Sequence, residues 1–475
     1  MPKTELHTLT IEKLSQLLRD RQVSPVEVTE HYLARIDELD EHTNAFIAVT
    51  SDEALADARK HEAEIMAGEY RGPLHGVPIA LKDLYDTAGV RTTAASRIFA
   101  ERVPDRDATS VMFLRAAGAV ILGKTNLHEF AFGVTNASSF FGPARNPWDL
   151  NRVTGGSSGG SGAAVAAGLC TAATGSDTGG SVRIPAALCG IVGLKPTYGR
   201  ISCAGLIPLS WSLDHAGPMT RSVYDAAVML QAMAGWDPED PASLTAPVSD
   251  YTQGIRDGVK GRRIAVDPDY AFSQIDDEVD VVVKQALRVL QELGAELVEV
   301  SLSRIPDAMD AALTILNAEA TAYHEEFLKT RPEDYQPDVR ARLEKASSVR
   351  GADYARAQRT RQWIRRDFES LFEEVDLFAT PMCAIPAPEL DQSEVVVAGQ
   401  ATSVMPPIAR FTRVFNLTGM PAITVPCGFS SDGLPIGLQL AGRRLDEATV
   451  LRAAYTYEQA TEWHERRPSL STLSR

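Results

Sequence analysis

Two glycine- and serine-rich segments, residues 154–162 and 175–183, stand out as places where the chain could do chemistry. Between residues 153 and 194 the only charged side chains are Asp177 and Arg183. A flexible linker of this composition would be flanked by solvated segments, which these are not. Because glycine carries an entropic cost in a buried segment, the pattern indicates close backbone approach or unusual dihedral angles in the interior.

A serine nucleophile in these segments needs a base. Most serine hydrolases use histidine, but none of the nine histidines, and no serine here, lies in a GxSxG elbow. The histidines nearest to these segments are His75, His128 and His215, and each remains a candidate for the base. A lysine can serve if burial lowers its pKa, and Lys82, in the apolar run 76–83, meets that requirement.

Residues 118–125 match the GxxxxGK[ST] pattern of a nucleotide-binding loop. Such a loop must turn around phosphates after a strand, whereas the intervening residues here are Ala-Val-Ile-Leu, a strand in themselves. The pattern therefore favours a structural strand bounded by glycines over a nucleotide site.

Helix and strand signals alternate along the chain, which predicts a layered α/β fold. A capping box at residues 24–27 opens a helix, and a helix at 278–293 is followed by a strand at 295–300. The proline-rich stretch 381–407 predicts a loop or lid, and strand patterns resume at 416–426 and 434–441.

Composition narrows the class of protein. The 475 residues are 44% hydrophobic, and 47 Lys and Arg against 63 Asp and Glu give a net charge of −16, which makes nucleic acid a poor partner. Five cysteines without zinc-type spacing indicate reduced thiols. The first seven residues carry charge and lack the apolar stretch that a secretory signal needs, so we do not expect export. Residues 153–176 are too rich in Gly, Ala, Ser and Thr for a membrane span. We expect a cytoplasmic protein that binds no membrane.

Several motifs together resemble the amidase signature family, a group of Ser-Ser-Lys amidohydrolases. The resemblance covers most of the chain and centres on residues 71–235. Its motifs lie at residues 76–83, 123–126, 155–160, 177–183 and 193–197.

This resemblance implies an α/β fold with a large central mixed β-sheet covered by helices on both faces. It implies a single domain over residues 1–475, with a helical N-terminal layer (1–70), a catalytic core (71–235) and variable loops and helices that form the substrate pocket (300–410).

The resemblance also implies roles for individual residues. Ser181 would be the acyl-forming nucleophile, Ser157 the bridging serine and Lys82 the base, and the family's 24-residue spacing between the serines is met, since 181 − 157 = 24. The Gly156–Ser157 peptide would be cis. Further implied positions are oxyanion-hole residues Thr178, Gly179 and Gly180 and a substrate contact at Ala131. Asp177 and Arg183 are expected to brace the oxyanion loop, and Ser158 to hydrogen-bond locally.

The predicted function is that of a free-standing amidohydrolase. Arg183-Ile184-Pro185 stands where the A subunit of glutamyl-tRNA amidotransferase usually has Gln-Pro after the arginine. The apolar Ile184 predicts a small neutral amide, apolar or aryl, or a carbamate, as substrate. The alternative is that A subunit itself, which hydrolyses glutamine and needs partner proteins and tRNA. We expect no metal and no cofactor. The sequence is compatible with a homodimer.

Overall fold

A mixed sheet of eleven strands runs through the centre of the computed structural model, which describes residues 3–470. Two short hairpins lie outside it. In chain order the strands are β1 Phe46–Val49, β2 Pro78–Lys82, β3 Val120–Thr125, β4 Arg145–Asn146, β5 Asp149–Val153, β6 Ala172–Ser176, β7 Val192–Lys195, β8 Ala216–Thr220, β9 Arg263–Val266, β10 Glu296–Glu299, β11 Leu377–Pro381, β12 Glu394–Val397, β13 Gln400–Ser403, β14 Ala422–Phe429 and β15 Pro435–Gly442.

The order of strands across the sheet is β1-β3-β2-β6-β8-β7-β14-β15-β11-β9-β10. β2 pairs in parallel with both β3 and β6, whereas β8, β7, β14 and β15 pair antiparallel with their neighbours. β2 is buried along its whole length, which explains why it reads as a continuous apolar run in the sequence.

Helices flank this sheet, and the predicted α/β fold with a large central mixed sheet is confirmed. α2 begins as predicted, because the Ser24 side chain accepts a hydrogen bond from the Glu27 amide and the Glu27 side chain accepts one from the Ser24 amide. The helices are α1 Ile11–Arg19, α2 Pro25–Thr43, α3 Ser51–Ala67, α4 Thr109–Ala116, α5 Gly159–Ala166, α6 Arg183–Leu188, α7 Val223–Met233, α8 Pro268–Phe272, α9 Asp277–Glu292, α10 Pro306–Thr330, α11 Pro337–Ala346, α12 Gly351–Glu374, α13 Met405–Ala409, α14 Arg413–Thr418 and α15 Glu447–Gln459.

The structure differs from the sequence-based expectations in three segments. The N-terminal layer is not purely helical, because β1 extends the sheet by pairing antiparallel with β3. The expected loop at 381–407 contains the β12–β13 hairpin and α13. Residues 416–418 end α14, and the strand predicted from 416 begins only at Ala422, after Gly419 turns the chain with a φ of 73°.

The nucleotide-loop match is structural, as the sequence indicated. Its residues 120–125 form β3, and the Lys124 ammonium donates hydrogen bonds to the Tyr85 carbonyl at 2.6 Å and the Thr92 hydroxyl at 2.7 Å. Lys124 is fully buried and therefore faces protein rather than a phosphate. Each helix within residues 3–470 is either too short or too polar to span a lipid bilayer.

Candidate active site

Lys82 is the last residue of β2, at the centre of the parallel part of the sheet. Its backbone amide donates to the Thr174 hydroxyl of β6 at 3.1 Å, which holds this strand end in place. The side chain is fully buried. Polar side chains at strand ends are positioned by the sheet itself, so the sequence alone could identify this residue.

The Lys82 amine contacts serine hydroxyls only. Nζ lies 2.7 Å from Oγ of Ser157, 2.9 Å from Oγ of Ser158 and 2.8 Å from Oγ of Ser176. Burial lowers the pKa of Lys82 well below its ordinary value of 10.5, and the negative charges of Asp177 and Asp214 offset only part of this effect. A neutral amine in this setting has a lone pair that can accept a proton from one of the hydroxyls.

Ser157 lies just before α5, in a backbone that admits no side chain at the preceding position. The Gly156–Ser157 peptide bond is cis. A Cβ atom on Gly156 would lie 2.8 Å from the Asn136 nitrogen and 2.9 Å from the Thr135 nitrogen. The Ser157 carbonyl accepts a hydrogen bond from the His128 amide at 3.0 Å. These contacts fix the serine hydroxyl against Lys82.

The sequence did not predict that Ser158 and Ser176 would contact the Lys82 amine. Ser158 was predicted to bond locally, yet its hydroxyl accepts from Nζ of Lys82 as well as contacting the backbone of Ser176. Ser176, at the end of β6, carried no sequence signal of its own. Its position follows from the pairing of β6 beside β2, which only the sheet order reveals.

Ser181 lies on a short loop before α6, and 5% of its surface is exposed, at the wall of a cavity. Its carbonyl accepts a hydrogen bond from the Ser158 amide at 3.3 Å, so the two glycine-rich segments are in direct contact. Ser157 and Ser181 therefore lie in the same region of the protein. Ser157 contacts Lys82, and Ser181 lines the cavity.

Asp177 and Arg183 brace this loop, as the sequence predicted. The Asp177 carboxylate accepts hydrogen bonds from the Gly180 amide at 2.7 Å and the Val182 amide at 3.2 Å. It also accepts from Nε and Nη2 of Arg183, both at 2.9 Å. Burial would raise the pKa of Asp177, but the Arg183 guanidinium holds it well below its usual range. Both side chains are fully buried and act structurally.

The backbone donors near Ser181 differ in one respect from the expected set. The amide of Gly180 is committed to Asp177, so it is not free to face an oxyanion. The amides of Thr178, Gly179 and Ser181 have no acceptor within residues 3–470. Gly180, which was expected among the oxyanion donors, therefore has no free amide, whereas the amide of Ser181, which the sequence analysis did not name, is free.

The cavity at Ser181 has a volume of about 230 Å³. Ala131 forms part of its wall, with a φ of 59° that is uncommon outside glycine and often marks functional backbone. A second cavity of about 240 Å³ adjoins it and shares Ala131, Thr178 and Leu209. Residues from the predicted variable region also line the Ser181 cavity: Leu313, Leu316, Asn317, Arg342, Lys345 and Met405.

Ile184 does not line either of these cavities. It is fully buried in a small hydrophobic cluster with Leu188 and Ile408, and its side chain packs against Gly155 and Gly180. Ile184 therefore gives no support to the prediction of an apolar or aryl substrate.

Arg413, which sequence reasoning also missed, is a cation beside the oxyanion loop. It begins α14 and lines the Ser181 cavity. A Cβ atom on Gly179 would lie 3.2 Å from Nη1 of Arg413, so the guanidinium packs on that glycine. No local motif marks it, because α14 is far away along the chain.

None of the three open histidines contacts Ser157 or Ser181 through its ring. His128 pairs with Asp338 at 3.3 Å, and His215 Nδ1 lies 2.7 Å from the Leu213 carbonyl. His75 belongs to a group with His61 and Glu64, which is the one set of metal-ligand types found among the described residues.

The His75 group is arranged for hydrogen bonding rather than for a metal. The Arg71 amide donates to Nδ1 of His75 at 3.1 Å, which leaves the ring proton on Nε2, 2.9 Å from the Glu64 carboxylate. The Arg71 guanidinium also pairs with Glu64 at 2.5 Å. A ligating nitrogen must be free of its proton, so this arrangement favours a structural network.

The sequence matches known proteins whose family is consistent with the geometry of this site. The Amidase family model matches residues 27–451. The chain is 44% identical to the A subunit of glutamyl-tRNA(Gln) amidotransferase from Moorella thermoacetica over 98% of its length and 99% of that protein. It is 46% identical to an amidase of Pseudomonas putida, again over 98% of this chain and 99% of the relative.

Solved structures agree as well. A chain from a vestigial protein complex that reveals the evolutionary origins of an s-triazine catabolic enzyme superposes with a TM-score of 0.91 at 35% identity, covering 95% of this chain and 98% of that one. Buried lysine, paired serines, fold and sequence matches all lead to one conclusion: the chain belongs to the amidase signature family and is a hydrolase that acts on carbon–nitrogen bonds.

Proposed function

We propose that this protein hydrolyses a carboxamide through a covalent intermediate on Ser181, with Ser157 as the bridging serine and Lys82 as the base. The observation that carries the proposal is the 2.7 Å contact between Nζ of Lys82 and Oγ of Ser157, in a setting where burial lowers the lysine pKa. A neutral amine on a serine hydroxyl can start a proton relay.

The relay runs in both directions. Lys82 takes the proton of Ser157 while Ser157 takes that of Ser181, whose Oγ forms a bond to the carbonyl carbon. The free amides of Thr178, Gly179 and Ser181 face the resulting oxyanion, and such donors contribute about 3 kcal/mol each. The C–N bond then breaks as the relay returns its proton to the leaving nitrogen. Water releases the acid from Ser181 by the same steps.

The lining of the Ser181 cavity bears on the substrate class. The sequence predicts a small neutral amide, apolar or aryl, or a carbamate, but Ile184 is buried in the small hydrophobic cluster and gives this prediction no support. Leu316, Arg342 and Met405 of the 300–410 region line the Ser181 cavity. This lining supports a role for the region in determining substrate specificity. We also propose that residues 1–475 form a single functional unit, and that the variable region at residues 300–410 is part of it.

Glutamine hydrolysis as an amidotransferase A subunit is the second candidate. The observation that favours it is the 44% identity to such a protein over 98% of the chain. In this case partner subunits would receive ammonia, whereas the first candidate acts alone or as a homodimer. For both candidates we propose a cytoplasmic location, supported by five free cysteines, of which four are buried.

A panel assay tests the proposal. The purified chain is incubated with glutamine, aliphatic amides, aryl amides and aryl carbamates, and each released amine is quantified by mass spectrometry. Ser181→Ala should release none, and Ser161→Ala, a buried serine that bonds to Thr125 and Thr174 instead of Lys82, is the matched control. Release from several amides by the chain alone supports the free-standing enzyme. Release from glutamine alone, rising with amidotransferase partner subunits, supports the second candidate, and release that survives Ser181→Ala contradicts both.

A further inference from the structure

Arg413 carries a buried guanidinium without a partner. Only 7% of the residue is exposed, and within residues 3–470 its guanidinium makes no hydrogen bond and no ion pair; Nε is fully enclosed and unbonded. Other buried cations are satisfied: Arg183 bonds to Asp177, and the Lys195 ammonium donates to the Met420 carbonyl at 2.5 Å. Arg413 is therefore an exception that needs an explanation.

An unpaired buried charge is costly, so proteins rarely keep one without a use. Burial lowers the pKa of Arg413 to about 10, with a smaller contribution from the nearby Arg342. The group thus stays positively charged at neutral pH. The acceptor that this cation lacks in the protein is most simply supplied by a ligand with a negative charge.

The position of Arg413 connects it to the reaction. It lines the same 230 Å³ cavity as Ser181, and its guanidinium packs on Gly179, whose amide is free. Arg342 lines this cavity as well, but its guanidinium already donates to the Phe132 carbonyl and pairs with Asp338 at 2.9 Å. No Asp or Glu is among the lining residues of this cavity. Lys345 also lines the cavity but is exposed at its rim, so Arg413 is the buried cation that is available to a bound molecule.

We propose that Arg413 binds a carboxylate of the substrate, so that the amide hydrolysed at Ser181 is a half-amide of a small dicarboxylic acid. The planar guanidinium fork matches a carboxylate, which distinguishes this site from an apolar acyl pocket. The inference rests on the proposed function and deepens it by naming a substrate class. It holds whether the chain acts alone or with partner subunits.

The test measures binding without turnover, in the Ser181→Ala chain. Glutaramate, the half-amide of glutaric acid, is titrated calorimetrically beside pentanamide, which has a methyl group in place of the carboxylate. Adding Arg413→Met should weaken glutaramate binding by about tenfold or more, because a charge-assisted hydrogen bond is lost. Pentanamide binding should change by less than about twofold, since it has no charge for Arg413 to bind.

Two further variants make the result specific. Arg413→Lys keeps the charge without the fork and should recover part of the glutaramate affinity. Lys345→Met removes a cation from the exposed rim of the same cavity and should change glutaramate binding by no more than about twofold, because water screens this charge.

Equal glutaramate affinity with and without Arg413 would overturn the carboxylate site, and so would an equal loss for pentanamide, which would mean a structural effect. Undetectable glutaramate binding at millimolar concentrations in the Ser181→Ala chain would overturn it too. These outcomes leave the proposed function intact. Failure of the wild-type chain to hydrolyse any amide would instead count against the proposed function, and the titration would still report on Arg413.

Discussion

Nζ of Lys82 lies 2.7 Å from Oγ of Ser157, although 75 residues separate them along the chain. The contact forms because Lys82 ends a buried strand in the middle of the sheet, and the backbone around Gly156, which leaves no room for a side chain, places Ser157 beside it. The lysine has no carboxylate to pair with directly, and burial lowers its pKa. This relationship is the physical basis of the proposed relay.

Ser157→Ala should reduce kcat by about 10³-fold or more, because the relay between Lys82 and Ser181 is interrupted. Ser161→Ala, in the same glycine-rich segment, should keep activity within about threefold and cost about 1 kcal/mol of stability, since its hydroxyl bonds to Thr125 at 2.7 Å and the Thr174 carbonyl at 2.8 Å. Steady-state kinetics and thermal unfolding measure both variants. Equal activity in the two would remove Ser157 from the mechanism.

The rate should rise with pH. The base form of Lys82 is the neutral amine, and its pKa lies well below 10.5, so the active form is gained as pH increases through that lowered pKa. The expected profile of kcat/KM rises from acid pH and reaches its plateau well before pH 10.5. A profile that rises only near pH 10.5 with chemistry rate-limiting is incompatible with a buried neutral lysine as the base.

Local patterns predicted an α/β fold and a buried strand at residues 119–122, and the family resemblance implied the large central sheet and the roles of Lys82, Ser157 and Ser181. It could not predict that Ser176 contacts Lys82, which depends on β6 lying beside β2. It also missed Arg413, which reaches Gly179 from a helix more than two hundred residues later in the chain. Ile184 was misjudged because an apolar side chain reads the same whether it lines a pocket or a core.

Asp177→Asn should disrupt the loop that presents Ser181. It weakens the bonds to the Gly180 amide and to Arg183, leaves a buried guanidinium without its carboxylate, and should cost about 3–5 kcal/mol of stability. The folded pKa of Asp177 is below its ordinary 3.8, so its contribution is present above about pH 3.8 and is lost as pH falls through the lower folded value.

Denaturant unfolding and kcat measure the effect of Asp177→Asn. We expect kcat to fall by about 10²-fold, since the free amides beside Gly180 lose their orientation. Asp432→Asn is the control, because the Asp432 side chain is 73% exposed and its ion pair with Arg152 spans 3.8 Å. A stability loss in Asp177→Asn no larger than in Asp432→Asn would show that the Arg183 pair is not needed.

Glu458→Gln should stabilise the protein at alkaline pH. Burial raises the pKa of Glu458 to about 8, and the side chain accepts a hydrogen bond from the Val223 amide at 2.8 Å that glutamine can also accept. The folded state therefore keeps a proton that the unfolded state loses near 4.5, so stability falls as pH rises from about 4.5 to 8.

Thermal unfolding at two pH values measures this effect. The Gln variant should exceed the wild type by about 1–3 kcal/mol above pH 8 and match it near pH 5, because it resembles the protonated carboxyl group. Glu462→Gln, at an exposed position in the same region, is the matched control for the loss of one carboxylate. A difference that is the same at both pH values would exclude the titration of Glu458 as its cause.

The central claim is that Ser181 is the nucleophile and that the relay from Lys82 activates it. The most direct measurement is to treat the full chain with a small alkyl fluorophosphonate and to locate the adduct by peptide mass spectrometry. We predict one adduct on Ser181 in the wild-type chain, none in Ser181→Ala, and labelling slowed by about 10²-fold or more in Lys82→Met. An adduct on Ser157 or Ser158, or labelling of Ser181 at an undiminished rate without Lys82, would contradict this claim.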